Sequence, residues 1–350
     1  MSYGGMINEV ELETQRLYKI LGGLTDFKIG AKYDAAFCRA AAPFTLEINK
    51  LKKETDAVIL AHYYCAPQIV YGVADYKGDS LALARAAAEV KESIIIFCGV
   101  FFMAQTAKII NPRKRVFLPP LFAGCSLADS VDAAQAAAMR AKYPRAQFVC
   151  YINSTAEVKA ACDICVTSAN VFDIIAASAA RQIVFLPDVY MAADIAREMR
   201  RRGIDKEIIP FGGTCCVHDK YNAQDVRDIR AAHPAAAIIC HPECAPQVCE
   251  LCDYCGGTSG MLKFVKSSAA RTFAVLSEDG IINCLEYENP DKNFLHYGRT
   301  CAQMKRNNLQ NILGILKNPA PEAEVQVGSS VADAAKKCIY KMFKAGGADL

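Results

Sequence analysis

The chain has no block of one charge, no apolar run long enough to cross a bilayer and no leader-like start, and each absence removes a class of function. Forty Lys and Arg stand against 37 Asp and Glu, a formal charge of +3. Because the signs are interspersed, no basic track for a nucleic acid stands out, and the pair Arg201 and Arg202 suits at most a small anion. The densest apolar run, Ile94 to Ala104, falls well short of the roughly 20 residues of a membrane helix and reads as a buried strand entering a helix. The start, MSYGGMINEVELETQ, lacks the basic residues and apolar core of a secretory signal. A cytoplasmic protein acting on small molecules, with no nucleic acid or membrane partner, is the expectation.

What the chain has in excess is cysteine. Seventeen thiols is an odd number, and 350 residues at 53% hydrophobic content need no disulfide staples. Reduced thiols, some of them metal ligands, are therefore expected. Cys38, Cys98, Cys150, Cys162, Cys240, Cys284 and Cys338 lie inside apolar strands or helices and read as small buried hydrophobes.

The order of the remaining residues is periodic. His62 in ILAHYY, Tyr151 in FVCYINS and His241 in IICHPE each close an apolar run, at spacings of about ninety residues. Some eighteen residues later comes a small hydroxyl element: GDS ending at Ser80, then Thr167-Ser168, then Thr258-Ser259. Each unit then reaches a cysteine, at Cys125, Cys215 (with Cys216 beside it) and Cys301. Short strands at 57–62, 93–97, 116–118, 147–151, 164–166, 183–186, 208–210, 237–240, 272–276 and 294–297 alternate with helices. The expected fold is α/β, with three αβα-like units built on small parallel sheets. The first unit spans 40–125, joined by helices of 1–39 and 302–350; the second spans 126–212 and the third 213–301. A single eight-stranded barrel is the competing fold, but its repeat is nearer thirty residues. Strand ends carry the polar motifs, which is where open α/β sheets bind ligands.

Two cysteine sets compete as metal ligands. Cys125, Cys215 and Cys301, one per unit, form a dispersed triad of soft thiolates suited to iron–sulfur or zinc chemistry. Cys244, Cys249, Cys252 and Cys255 form a local C-x4-C-x2-C-x2-C run, which alternatively reads as a helix with a small apolar face. The repeat favours the triad.

The motifs AHYY, ADYKGDS, CGVFFMAQTAKI, YINS, TSAN, GTCCVH, HPEC, GGTSGM and CAQMKRNNL follow in an order that resembles the quinolinate synthase family from about residue 45 to 317. The resemblance implies three αβα three-layer domains related by pseudo-threefold symmetry, and a [4Fe–4S] cluster held by Cys125, Cys215 and Cys301, with one iron not ligated by protein. It implies condensation of iminoaspartate, supplied by an aspartate-oxidising enzyme, with dihydroxyacetone phosphate to give quinolinate for NAD synthesis. His62, Tyr64, His241 and Glu243 correspond to catalytic positions, and Ser80, Tyr151, Asn153, Ser168, His218 and Thr258 to substrate-binding ones. The resemblance argues against a second cluster at Cys249, Cys252 and Cys255. It leaves the segment after Lys317 uncovered, as a surface or oligomer contact, and a homodimer is possible. Tyr63 and Phe211 depart from the family, where Asn and Trp are common.

Chemically, Glu243 is expected to be the general base, its pKa lifted toward neutrality by burial, with His62 or His241 relaying the proton. Tyr64 would donate to a developing enolate oxygen. His233, His296, Lys305 and Arg306 read as solvated or packing residues. Three rivals share parts of this pattern: an aconitase-like hydro-lyase, a radical enzyme cleaving S-adenosylmethionine, and an electron carrier or zinc-stabilised binding protein built on Cys244 to Cys255.

Overall fold

The computed structural model describes residues 3–345 apart from 28, 29 and 121. A hairpin of β1 (Thr25–Asp26) and β2 (Ala31–Lys32) follows the first helix, Tyr3–Leu21, which packs on the helix Ala35–Glu54. Three four-stranded parallel sheets come next. The first holds β3 (Ala57–His62), β4 (Tyr76–Gly78), β5 (Ile94–Cys98) and β6 (Arg115–Phe117). The second holds β7 (Gln147–Tyr151), β8 (Ile164–Val166), β9 (Gln182–Leu186) and β10 (Glu207–Pro210). The third holds β11 (Ala237–Cys240), β12 (Tyr254–Cys255), β13 (Thr272–Leu276) and β14 (Asn293–Leu295). In each sheet the strand that comes first in the chain lies between the second and the third, with the fourth outermost. The three-unit α/β architecture expected from the repeat is thus the one found. Among the described residues no helix is long and apolar enough to cross a membrane.

The units share a device that fixes the edge strand. Asp75, Asp163 and Asp253 each precede the second strand of their sheet. Their carboxylates accept from the N–H groups of Ile59 (2.8 Å), Phe148 (2.7 Å) and Ile238 (2.7 Å) in the first strand. Their own N–H groups bond back to the carbonyls of those three residues. A cation from the helix before the first strand closes each one: Lys52 on Asp75 at 2.6 Å, Arg140 on Asp163 at 3.2 Å, Arg230 on Asp253 at 3.0 Å. Each aspartate thereby pins strand register.

Several expectations need correction. The helix that leads into β3 begins at Ala35, before the first unit expected from residue 40, is capped by Asp34 and runs through Pro43. The helices Ala133–Lys142 and Ala223–Ala232 were not foreseen, although their capping boxes, Asp132 with Gln135 and Asn222 with Asp225, are local signals. VCELCDYC is not one helix: the helix Pro246–Leu251 ends at Cys252, and Tyr254–Cys255 is an edge strand. The segment after Lys317 is not a surface appendage. Val325 donates to the Val116 carbonyl, and Glu324 pairs with Lys108 (2.9 Å) and Arg115 (3.1 Å). The terminal helix Ser329–Ala345 buries Ala335, Cys338, Ile339, Met342 and Phe343 in the core of the second unit.

Candidate active site where the three units meet

The carboxyl ends of β3, β7 and β11 open into one cavity of about 90 Å³. It brings together His62, Tyr64, Ser80, Cys125, Tyr151, Asn153, Ser168, Cys215, His218, His241, Glu243, Thr258 and Cys301, and among the described residues no Lys or Arg lines it.

The three cysteines enter on one repeated turn. Each carbonyl accepts from the N–H four residues on: Asp129 to Cys125 (2.9 Å), Asp219 to Cys215 (2.9 Å), Lys305 to Cys301 (3.1 Å). A short 3-10 helix follows each cysteine, and Asp132, Asn222 and Asn308, each seven residues beyond its cysteine, cap the next helix. The turn aims two N–H groups at each sulfur: Leu127 and Ala128 at Cys125, Val217 and His218 at Cys215, Gln303 and Met304 at Cys301. Burial pushes all three thiols up, Cys125 to about 12, against the pull of those donors. Such sulfurs stay protonated until a cation displaces the proton, and the N–H groups are already placed for the thiolate. Cys216 is exposed, and the matching positions in the other turns are Ser126 and Ala302.

Glu243 sits at the centre, 4% exposed. Its Oε1 accepts from the Tyr151 hydroxyl at 2.8 Å and the Asn153 amide at 3.1 Å, and its Oε2 lies 3.0 Å from His218 Nδ1. Burial alone would raise its pKa. The neighbouring His241 and His218 and the Tyr151 donor outweigh burial and hold the carboxyl below the usual range. The expected lift toward neutrality is therefore reversed, because three donors point at a group that burial alone would have neutralised.

His62 and His241 share one geometry. The N–H two residues on, of Tyr64 (3.1 Å) and of Glu243 (3.2 Å), donates to Nδ1, so each neutral ring carries its proton on Nε2. Burial depresses both imidazoles to about 4. His218 stacks on His241, with ring centroids 4.7 Å apart. Its Nδ1 also lies 3.2 Å from the Cys215 sulfur, and its Nε2 is 3.0 Å from the Ser277 hydroxyl.

Cys215, His218 and Glu243 present ligand atoms within 4.8 Å of one another. With Nδ1 donating to Glu243 and Nε2 engaged by Ser277, the imidazole has no lone pair left for an ion.

Sequence reasoning missed a second layer in the loop after β13. Ser277 touches both the Tyr64 hydroxyl (3.2 Å) and His218, and its carbonyl accepts from Tyr221. Glu278, buried, accepts from the Cys301 N–H at 3.0 Å and from the Gly280 N–H at 2.7 Å. Lys305 pairs with Glu278 at 2.8 Å and donates to the Tyr64 carbonyl at 2.6 Å, so it belongs to this layer and not to a solvated face. Nothing local in SEDG distinguishes it from a surface turn.

The hydroxyl elements open helices. Ser80 and Thr258 are the first residues of Ser80–Glu89 and Thr258–Ser267, and Asp79 caps the former. Gly257 precedes Thr258, and a Cβ there would come 2.3 Å from the Ser168 hydroxyl. Glycine is what lets the second and third units close at this point.

The local set Cys244, Cys249, Cys252 and Cys255 lies away from the cavity. There the structure brings Cys240, Cys249 and Cys255 within 4.8 Å of one another, an arrangement able to hold a metal.

The family model described as quinolinate synthetase A protein matches residues 46–344. A quinolinate synthase of Caulobacter vibrioides is 39% identical over 309 residues, 87% of this chain and 82% of that protein. One of Sinorhizobium fredii is 40% identical over 303 residues, 87% and 82% of the two chains. One of Caldicellulosiruptor bescii is 40% identical over 302 residues, 86% and 97%. The family match takes in all three cysteine turns, the loop after β13 and nearly all of the terminal helix: the chain belongs to the quinolinate synthetase A family.

Proposed function

We propose that the protein is a quinolinate synthase that condenses iminoaspartate with dihydroxyacetone phosphate, releasing phosphate and two waters. The observation that carries this reading is the repeated turn, which delivers one buried thiol from each unit to a cavity that also holds an ionised carboxylate and two neutral imidazoles. Cys125, Cys215 and Cys301 would hold a [4Fe–4S] cluster with one iron left open, which supplies Lewis acidity toward a nitrogen, a carboxylate or a departing hydroxyl. The donor set fits such a group: three soft ligands, each sulfur met by two N–H groups and pushed toward the neutral thiol by burial.

The remaining steps fall to the chain's own residues. Glu243 is ionised and takes protons from carbon. Tyr151 and Asn153 both bond Oε1, so turning either toward substrate raises the basicity of that oxygen. His62 and His241 offer Nε2–H donors without charge. Tyr64, whose pKa burial pushes up, remains a hydroxyl held by Thr258 and Ser277 and donates to an enolate oxygen. Ser80, Ser168, Thr258 and main-chain N–H groups at helix starts hold the phosphate, since among the described residues no Lys or Arg lines the cavity.

Anaerobically purified protein, assayed with both substrates, should form quinolinate and phosphate and contain about four irons, the complement of such a cluster. C301A should lose the iron and the activity together. Retention of the iron in C301A, or phosphate release that required S-adenosylmethionine, would overturn the reading.

A further inference from the structure

The third unit carries a second cysteine constellation outside the cavity. Cys240 ends β11, Cys249 lies on the helix Pro246–Leu251, Cys252 terminates that helix, and Cys255 lies on β12 directly beside Cys240 in register. The Cys240 thiol interacts with those of Cys249, Cys252 and Cys255. None of the four lines the central cavity.

The second unit supplies a contrast built on the same scaffold. Cys150, Cys162 and Cys165 stand ninety residues before Cys240, Cys252 and Cys255, and Cys150 pairs with Cys165 in the register in which Cys240 pairs with Cys255. The residue ninety before Cys249 is Lys159. Its ammonium is wholly buried, donates to the Ser154 carbonyl, and sits among the thiols of Cys150, Cys162, Cys165 and Cys338. The second unit thus places a cation of its own among its thiols. The third unit has the same thiols, a fourth in place of the ammonium, and the buried Asp194 carboxylate against Cys249. The neighbouring cation Arg197 is engaged by Asp194 at 2.8 Å and Glu250 at 3.0 Å.

From this exchange of a lysine for a thiol we infer that Cys240, Cys249, Cys252 and Cys255 form a structural site for one soft divalent cation, Zn²⁺, separate from the catalytic cavity. Four thiolates with no open position are the ligand set of closed zinc sites. The tetrahedral edge implied by a Zn–S distance of about 2.3 Å is roughly 3.8 Å. Three of the sulfurs already lie within 4.8 Å of one another, and Cys252, at the helix end, swings in. Binding releases the thiol protons to solvent and requires no oxidant. Because Asp194 belongs to the helix Val189–Arg201 of the second unit, the ion would also stiffen the seam between the second and third units.

The test is the zinc and iron content of the holoprotein, isolated without chelator. The expected result is one Zn²⁺ per chain in addition to the iron. C249S/C255S should lose the zinc and keep the iron, while C162S/C165S should keep both. If C249S/C255S does not fold, the wild-type protein decides. Release of one Zn²⁺ by a thiol-blocking mercurial, in a sample of C125S that has already lost its iron, supports the site. Absence of any metal beyond the iron, zinc retained in C249S/C255S, or a disulfide among these cysteines in freshly isolated protein overturns it. Zinc content is read without turnover, so failure of the catalytic reading leaves this result unaffected.

Discussion

Substituting Glu243 by Gln tests the centre of the site with little change of shape. Both Tyr151 and Asn153 donate to Oε1, and His218 faces Oε2. A glutamine that keeps its oxygen toward the first two presents its NH₂ to His218. The imidazole can then move its proton to Nε2, accept at Nδ1 and donate to Ser277 instead of accepting from it. All contacts survive as neutral hydrogen bonds, so the loss is the difference between charged and neutral bonds, about 1–3 kcal/mol of stability. Turnover should suffer far more. Losing a positioned base costs about 10²–10⁴ in kcat, or roughly 3–5 kcal/mol of barrier. Quinolinate formation, iron content and thermal unfolding, measured on the same anaerobic sample, separate the two effects. A kcat within about threefold of the wild type would refute Glu243 as the base. Loss of iron in step with activity would refute it as well, by showing that Glu243 merely supports the Cys215 turn.

Three further outcomes follow from the geometry. His62 and His241 are held to about 4, below an unfolded value near 6.5, so the unfolded chain binds more protons between those limits. Stability should therefore fall as pH drops from about 6.5 to 4, by up to about 3 kcal/mol per ring, and urea midpoints of H62Q should show a shallower pH slope; an unchanged slope rejects the burial of a neutral ring. G257A should leave the iron intact but displace Ser168, raising KM for the phosphorylated substrate at least fivefold, and an unchanged KM removes Ser168 from the binding surface. Finally, D75A, D163A and D253A each remove the acceptor of one strand N–H and should cost similar amounts, about 1–2 kcal/mol by denaturant unfolding. A cost confined to one unit would show that the three aspartates are not equivalent.

The strands and the cavity were legible because both leave local marks: apolar runs ending in His or Tyr, and hydroxyl residues at helix starts. The cysteine turns were legible only through their repetition. Asp75, Asp163 and Asp253 were not, because each bonds to a strand some fifteen residues earlier and looks like an ordinary loop acid. Ser277, Glu278 and Lys305 were hidden for the same reason, since their burial comes from contacts among β13, the Cys301 turn and Tyr64. The ionisation of Glu243 was misjudged because burial is visible in a sequence, whereas the number of donors aimed at a carboxylate is not.

The helix Ser329–Ala345 lies across β8 and the helix Ala156–Ala160. A ribosome adding about 5–20 residues per second reaches Ser329 roughly ten to thirty seconds after Val166. Until then, the middle third of the nascent polypeptide displays an unroofed patch with Cys150, Cys162, Cys165 and the Lys159 ammonium. Order of synthesis and order of completion therefore diverge, and a chaperone shielding that patch would be needed until the last helix emerges.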